Sequence, residues 1–105
     1  MVNKILNASG VVHRESRYIG KASTYAVWMD DQSTEGPDGL PAMAIRHDIT
    51  VELYTSKPEP EAEAAIEAAI AAEGLQYTKQ SRYWLPTEQM YQTIYEFTYF
   101  TKRRT

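Results

Sequence analysis

The clearest pattern in the chain is the alternation of apolar and polar residues from Ile45 to Thr55. A repeat of two residues is that of a β-strand, whose successive side chains point to opposite faces of the sheet. The segment therefore predicts a long strand with one face against the core. The side chains expected on that face are Ile45, His47, Ile49, Val51 and Leu53.

A different repeat follows and predicts a helix over Pro60–Glu73. Pro60 suits the first helical turn because its missing N–H would have no helical partner there. Gly74 supplies the residue that readily adopts the left-handed conformation at a helix end. Small and apolar residues three and four positions apart form a narrow face that we expect to lie on a sheet: Ala62, Ala65, Ile66, Ala69 and Ile70.

Three further segments are rich in β-branched and aromatic residues and are predicted to be strands: Thr24–Met29, Leu75–Leu85 and Met90–Thr101. The first is expected to form an antiparallel hairpin with Ile45–Thr55, and the last two form a second hairpin. In the last strand the aromatic residues share one side: Tyr91, Tyr95, Phe97 and Tyr99.

Near the start of the chain the hydrophobic pattern is weaker than in the second half. Val2, Ile5 and Leu6 at helical spacing predict a short helix over Met1–Ala8, which meets Gly10. Val11–Tyr18 is interpreted as either a short edge strand or an extended arm. The fold predicted for residues 1–105 is one α+β domain: an antiparallel sheet of two β-hairpins, with one long helix packed on one face.

The connection Asp30–Pro41 contains glycine, proline and several acids, and is predicted to be a loop. Its acids do not have the spacing of a calcium-binding loop, so no metal site is predicted. We expect instead an adaptable contact surface with one apolar anchor. The residues assigned to this contact are Asp30, Asp31, Glu35, Asp38 and Leu40.

Composition excludes several classes of protein. The 105 residues are 43% hydrophobic and carry a net charge of −3, which is typical of a folded domain and argues against a general nucleic-acid surface. Cysteine is absent, which excludes disulfides and thiolate metal sites. No apolar stretch is long enough to span a bilayer, and we expect the protein to be made in the cytosol.

No catalytic motif and no cofactor-binding motif is present, so no enzyme activity is predicted. His47 is interpreted as a structural histidine on the apolar face of its strand, and His13 has no motif partner. The basic segment Lys102–Arg104 is interpreted as a solvated tail rather than a nucleic-acid contact. Tyr83 and Trp84 are candidates for a protein interface, because amphipathic aromatic residues occur in both cores and interfaces.

Particular segments of the second half resemble a known family. VELYT at 51–55, the Pro/Glu helix start, GLQYTK at 74–79 and QTIYEF at 92–97 are similar to tail-terminator and head–tail joining proteins of tailed bacteriophages and prophages. The resemblance implies an α+β subunit of a ring, commonly a hexamer, that caps the tail tube and docks to the head connector. It also implies as partners other copies of the chain, tail-tube proteins and head-completion proteins, in the neck of a virion.

A second interpretation comes from another class of protein. A small cytosolic module that acts as a dimer and binds a peptide at an exposed sheet edge would have the same secondary structure. The mass of the protein in solution distinguishes it from a ring.

Overall fold

A computed structural model describes residues 1–15, 20, 22–35 and 44–102, with only the backbone of Glu35. Seven elements follow one another along these residues. They are α1 (Val2–Ser9), β1 (Val12–Glu15), β2 (Thr24–Glu35), β3 (Ala44–Thr55), α2 (Pro60–Ala72), β4 (Tyr77–Leu85) and β5 (Met90–Lys102).

The strands form one five-stranded sheet in the order β1-β2-β3-β5-β4. β3 lies at its centre and pairs antiparallel with β2 on one side and with β5 on the other. β4 pairs antiparallel with β5, whereas β1 runs parallel to β2. The end of the sheet at Ala44 and Lys102, which are paired, is called the distal end below. The end at Thr24, Thr55 and Tyr91 is called the proximal end.

Both helices contribute to the core that covers one face of the sheet. The alternation predicted for β3 is present, with Ile49, Val51 and Leu53 buried. α2 buries Ile66, Ala69 and Ile70, and α1 buries the residues that its spacing predicts. The buried cluster comprises Val2, Ile5, Leu6, Ala26, Trp28, Ile49, Val51, Leu53, Ile66, Ala69, Ile70, Tyr95 and Phe97.

Local sequence explains where the helices begin and end. α1 is followed by Gly10 with a φ of 76°, and α2 begins with Pro60 and has Glu61 and Glu63 in its first turn. Carboxylates at this position interact favourably with the positive end of the helix dipole. After α2, Gly74 has a φ of 74°, as the predicted helix stop requires.

The predicted arrangement of two antiparallel hairpins with one long helix is wrong. The sheet is mixed, because β1 is a fifth strand parallel to β2, and the described residues contain two helices, of 8 and 13 residues. The two hairpin pairings exist, but β5 rather than β4 lies beside β3. A strand of four residues with one apolar side chain carries too little periodicity to predict its direction.

The predicted loop Asp30–Pro41 is also wrong in its first half. β2 continues through Asp30 and Asp31 to Glu35, where it pairs with Ala44. Pairing with the strongly alternating β3 satisfies the backbone groups of this polar segment and outweighs its weak β propensity. Asp38, Leu40 and Pro41 lie outside the described residues.

Replacing Ile66 by aspartate tests how α2 packs on the sheet. Ile66 has no exposed surface, so Ile66→Asp would place an unpaired carboxylate in the core, which costs several kcal/mol. That cost is comparable with the whole stability of a domain of this size. We expect loss of the cooperative thermal transition in circular dichroism. The matched control Ala68→Asp changes an exposed position of α2 and should still unfold cooperatively.

Candidate functional site

The face of the sheet opposite the helices is called the open face below. Its side chains form an ordered, mixed surface rather than an apolar one. The amide of Gln92 donates to Glu52 Oε2 at 3.1 Å and to the Tyr54 hydroxyl at 3.0 Å. The Tyr54 ring stacks on Tyr25 with centroids 5.1 Å apart. This part of the open face is therefore rigid and polar, which suits a contact with another protein.

Of the residues assigned to a loop contact, the structure places the side chains of Asp30 and Asp31, and they lie on opposite faces of β2. Asp31 is exposed on the open side of β2, whereas the carboxylate of Asp30 points to the helix side. The side chain of Glu35 is outside the description, as are Asp38 and Leu40. The contact predicted for this segment stays a prediction.

Asp30 instead belongs to a polar cluster at the distal end of the helix side. His47 is 8% exposed, and its Nδ1 lies 2.9 Å from Asp30 Oδ2. The other ring nitrogen, Nε2, lies 2.8 Å from Thr101 Oγ1. The ring of Tyr99 stacks on the imidazole with centroids 4.5 Å apart and planes at 6°. Side chains from β2, β3 and β5 therefore meet at one histidine.

The hydrogen bonds of this cluster allow His47 to be buried. A carboxylate oxygen can only accept, so Nδ1 donates to Asp30, and Nε2 pairs with the Thr101 hydroxyl, which can donate or accept. A buried histidine whose two nitrogens are both bonded, and whose face is covered by Tyr99, costs little to bury. The pKa of Tyr99 is raised by its own burial and by the negative charge of Asp30. The cluster joins the three strands beyond the main core.

A second polar network joins α2 to the edge strand β4. The buried Glu63 accepts from Lys79 Nζ at 3.0 Å and from Arg82 Nε at 2.6 Å. Lys79 also donates to Glu67 at 2.8 Å, and Glu67 accepts from the hydroxyl of the fully buried Tyr95, also at 2.8 Å. These contacts hold β4 against the helix although most of its side chains are exposed.

The tip of the β4–β5 hairpin carries exposed aromatic residues. Tyr83 is 65% exposed and Trp84 is 41% exposed. The Trp84 ring lies 4.8 Å from that of Tyr91, which fixes its orientation. Both side chains are therefore accessible to a partner, and their role in a protein interface stays a prediction.

A groove lies at the proximal end between β1, α2 and the end of α1. Its volume is about 720 Å³, and its walls are mainly apolar. Glu59 and Glu61 are its charged lining residues, and Glu59 accepts a hydrogen bond from the Thr24 hydroxyl. The lining residues are Ser9, Gly10, Val11, Val12, Thr24, Pro58, Glu59, Pro60, Glu61, Ala62 and Ala65.

Neither this groove nor the histidine cluster could be predicted from the sequence. Each combines residues that are far apart in the chain, such as Val12 with Glu61, or Asp30 with Thr101. The signal for the cluster was the polar His47 at a core position of β3, but its partners depend on strand register. Among the described residues no group of three or more His, Cys, Asp or Glu is placed to hold a metal ion. No helix in the described ranges is long and apolar enough to cross a membrane.

Comparison with known proteins gives a likeness of fold. No family model matches the chain, and no curated protein matches it in sequence. The fold is similar to a chain in the solved structure of the virion of a native gene transfer agent (GTA) particle. The TM-score is 0.65 at 16% sequence identity, over 94% of this chain and 84% of the other. The likeness therefore includes nearly all of the fold.

The Glu63 network should make stability depend on pH. Burial raises the pKa of Glu63, but the hydrogen bonds from Arg82 and Lys79 and their charges lower it further, so the net pKa is below the usual 4.5. A lowered carboxyl pKa contributes stability above the unfolded-state value, and this contribution is lost as the pH falls through the folded-state pKa. Glu63→Gln should reduce the free energy of unfolding by about 1–2 kcal/mol at pH 7.

Urea unfolding of the parent and of Glu63→Gln, measured from neutral to acidic pH, checks this expectation. The difference between the two proteins should shrink below about pH 4. Glu88→Gln in the exposed β4–β5 turn is the matched control and should unfold like the parent at every pH. A constant difference down to pH 3 would show that the lost stability does not come from the charge of Glu63.

Proposed function

We propose that this protein is a structural subunit of a phage or phage-like virion. Its proposed role is that of a tail terminator or head–tail joining protein in the neck. Several copies form a ring, which caps the tail tube on one side and docks to the head connector on the other. This role needs no catalysis and no cofactor.

The likeness of fold to a chain of a gene transfer agent virion carries this proposal. It extends over 94% of the chain, so it rests on nearly the whole fold rather than on one common motif. The segments VELYT, GLQYTK and QTIYEF support the proposal independently, because they resemble proteins of the phage neck.

The shape of the subunit is compatible with a ring. The fold measures 50 × 28 × 23 Å, and its length follows the twelve-residue pairing of β3 with its neighbours. Two polar networks hold the parts outside the central core, at His47 and at Glu63. A stiff elongated subunit can repeat the same head-to-tail contact until the ring closes.

A second candidate function is favoured by the groove beside β1. An extended peptide could pair with the outer edge of β1 and place side chains in the groove, as in proteins that bind peptides by adding a strand. A small cytosolic module of this kind would be a monomer or a dimer whose oligomeric state changes when its ligand binds.

Native mass spectrometry and light scattering distinguish the two functions. A ring of six copies of the 12.0 kDa chain would have a mass of about 72 kDa, with a central hole in negatively stained images. Because isolated subunits of such rings are often monomers, the measurement should be made over a range of concentrations and with tail tubes added.

The location of the protein gives the second part of the test. Particles induced from cells that carry the gene should bind gold-labelled antibodies against this chain at the junction of head and tail. A peptide-responsive monomer or dimer at every concentration, together with absence from purified particles, would contradict the proposed function and favour the binding module.

A further inference from the structure

We propose that neighbouring copies in the ring pair through opposite sheet edges, the outer edge of β4 in one copy with the outer edge of β1 in the next. These are called the β4 edge and the β1 edge below. The partner of the β1 edge is thus a second copy of this chain, and one five-stranded sheet continues into the next. This inference deepens the proposed ring by naming its contact, and it rests on that proposal.

The strand directions allow this continuation. β1 and β4 are the outermost described strands, at opposite sides of the sheet. β1 is parallel to β2, and the other three neighbouring pairs are antiparallel, so β1, β2 and β5 run one way while β3 and β4 run the other. When two copies lie side by side in the same orientation, the β4 edge therefore meets the β1 edge as an antiparallel pair. Such a contact between different edges can repeat until a ring closes.

A row of paired residues on the open face has exposed side chains at both ends. The row consists of Val12, Tyr25, Tyr54, Gln92 and Tyr83, each paired with the next. Its three inner members are partly buried, whereas Val12 is 44% exposed and Tyr83 is 65% exposed. The continued sheet places Tyr83 of one copy beside Val12 of the next. An aromatic ring beside a β-branched residue is a favourable cross-strand pair.

The same register brings opposite charges together on the helix side. A second row consists of Glu15, Trp28, Val51, Tyr95 and Lys79. Its ends, Glu15 and Lys79, are both exposed and become neighbours when the sheet continues. Lys79 Nζ donates to Glu63 and Glu67, and an ammonium group has three donors, so the third is available to Glu15. The charges of the two edges are therefore complementary.

The bulge in β4 makes both pairs possible in one register. Val12 and Glu15 are three positions apart and point to opposite faces, whereas Tyr83 and Lys79 are four positions apart. In a regular strand residues four positions apart would point to the same face. The bulge between Gln80 and Tyr83 inserts one extra residue, so Tyr83 lies towards the open face and Lys79 towards the helix side. The bulge thus matches the β4 edge to the β1 edge.

The β1 edge also has room for an incoming strand. A hollow of about 450 Å³ follows it, lined by Asn7, Gly10, Val11, Val12, His13 and Arg14. Nothing lies within 4 Å of the position that a Cβ on Gly10 would take. Trp84 follows Tyr83 and pairs with Tyr91, so its side chain lies on the helix side and is 41% exposed. In the continued sheet Trp84 would lie beside Val11 and Gly10 and lose this exposure.

Pairing of like edges has less support. The nine residues of β4 include two cations, Lys79 and Arg82, and no acid, so two β4 edges would bring like charges together. Two β1 edges would leave Tyr83 and Trp84 exposed. Either pairing alone also ends at a dimer, because it uses the same edge of both copies.

Crosslinking between copies tests the contact directly. The chain contains no cysteine, so each variant carries one defined thiol at an exposed position. Val12→Cys is mixed with differently tagged Tyr83→Cys and treated with a short bismaleimide reagent. We expect a crosslinked heterodimer in high yield, and at least fivefold less product from either variant alone. Thr78→Cys, exposed on the same β4 edge, is the register control and should give at least fivefold less product with Val12→Cys.

The double variant with Val12→Cys and Tyr83→Cys in one chain distinguishes a ring from a dimer. Each copy then carries a thiol at both edges, so the reagent should join copy after copy. We expect a ladder of covalent multimers on a denaturing gel that ends at the number of copies in the ring. A ladder that ends at the dimer would overturn the inference.

A charge change tests the pairing of Glu15 with Lys79. Glu15→Lys in the Val12→Cys copy would set two cations together and should reduce the crosslink to Tyr83→Cys at least threefold at low salt. The reduction should be smaller at high salt, which screens exposed charges. Asp31→Lys makes the same change at an exposed position away from both edges and should leave the yield within twofold. An unchanged yield with Glu15→Lys would overturn the proposed register.

The outcomes separate this inference from the proposed function. Rings that form without the Val12–Tyr83 crosslink, or in which Val12→Cys crosslinks mainly to itself, would overturn the edge contact and leave the ring in place. A specific Val12–Tyr83 crosslink in a protein that is absent from virions would support the edge contact and contradict the proposed function. A protein that stays monomeric and gives no crosslink, even with tail tubes added, would contradict both and favour a peptide as the partner of the β1 edge.

Discussion

The pairing of β3 with β5 is the constraint on which the rest of the structure depends. The two strands pair over twelve residues, and their alternation decides which face receives the helices. A slip of one residue would move Ile49, Val51 and Leu53 from the core to the open face, so one register is strongly favoured. The same register sets His47 opposite Tyr99, and it therefore also builds the polar cluster at the distal end.

The secondary-structure elements that depend only on neighbouring residues could be predicted from the sequence. The strand at Ile45–Thr55 and the helix between Pro60 and Gly74 depend on periodicity and on residues with special backbone geometry, which lie within a few positions of one another. The direction of β1 and the continuation of β2 through Asp31 depend on partners elsewhere in the chain. Tertiary pairing outweighs weak local preference at such positions.

The residues of the candidate contact surfaces also divide into those that local sequence could identify and those that depend on the fold. Tyr83 and Trp84 could be selected from sequence because amphipathic aromatic residues are enriched in interfaces as well as cores, and the structure leaves both exposed. The groove could not be selected, since its walls come from α1, β1 and α2 and are apolar or ordinary in sequence. The bond from the Asp30 carboxylate to His47 could not be predicted either, because the sequence predicted a loop where β2 continues.

A contact between two copies at a short sheet edge would be individually weak, and this weakness suits the proposed ring. Four or five paired residues form only a few hydrogen bonds, each contributing about 0.5–1.5 kcal/mol, and association itself costs several kcal/mol. Two copies would therefore separate readily. In a closed ring every subunit has two neighbours, and the last contact forms within one particle at high effective concentration. A surface that holds several copies side by side, such as the end of a tail tube, would raise that concentration further and favour closure at the place where the ring is needed.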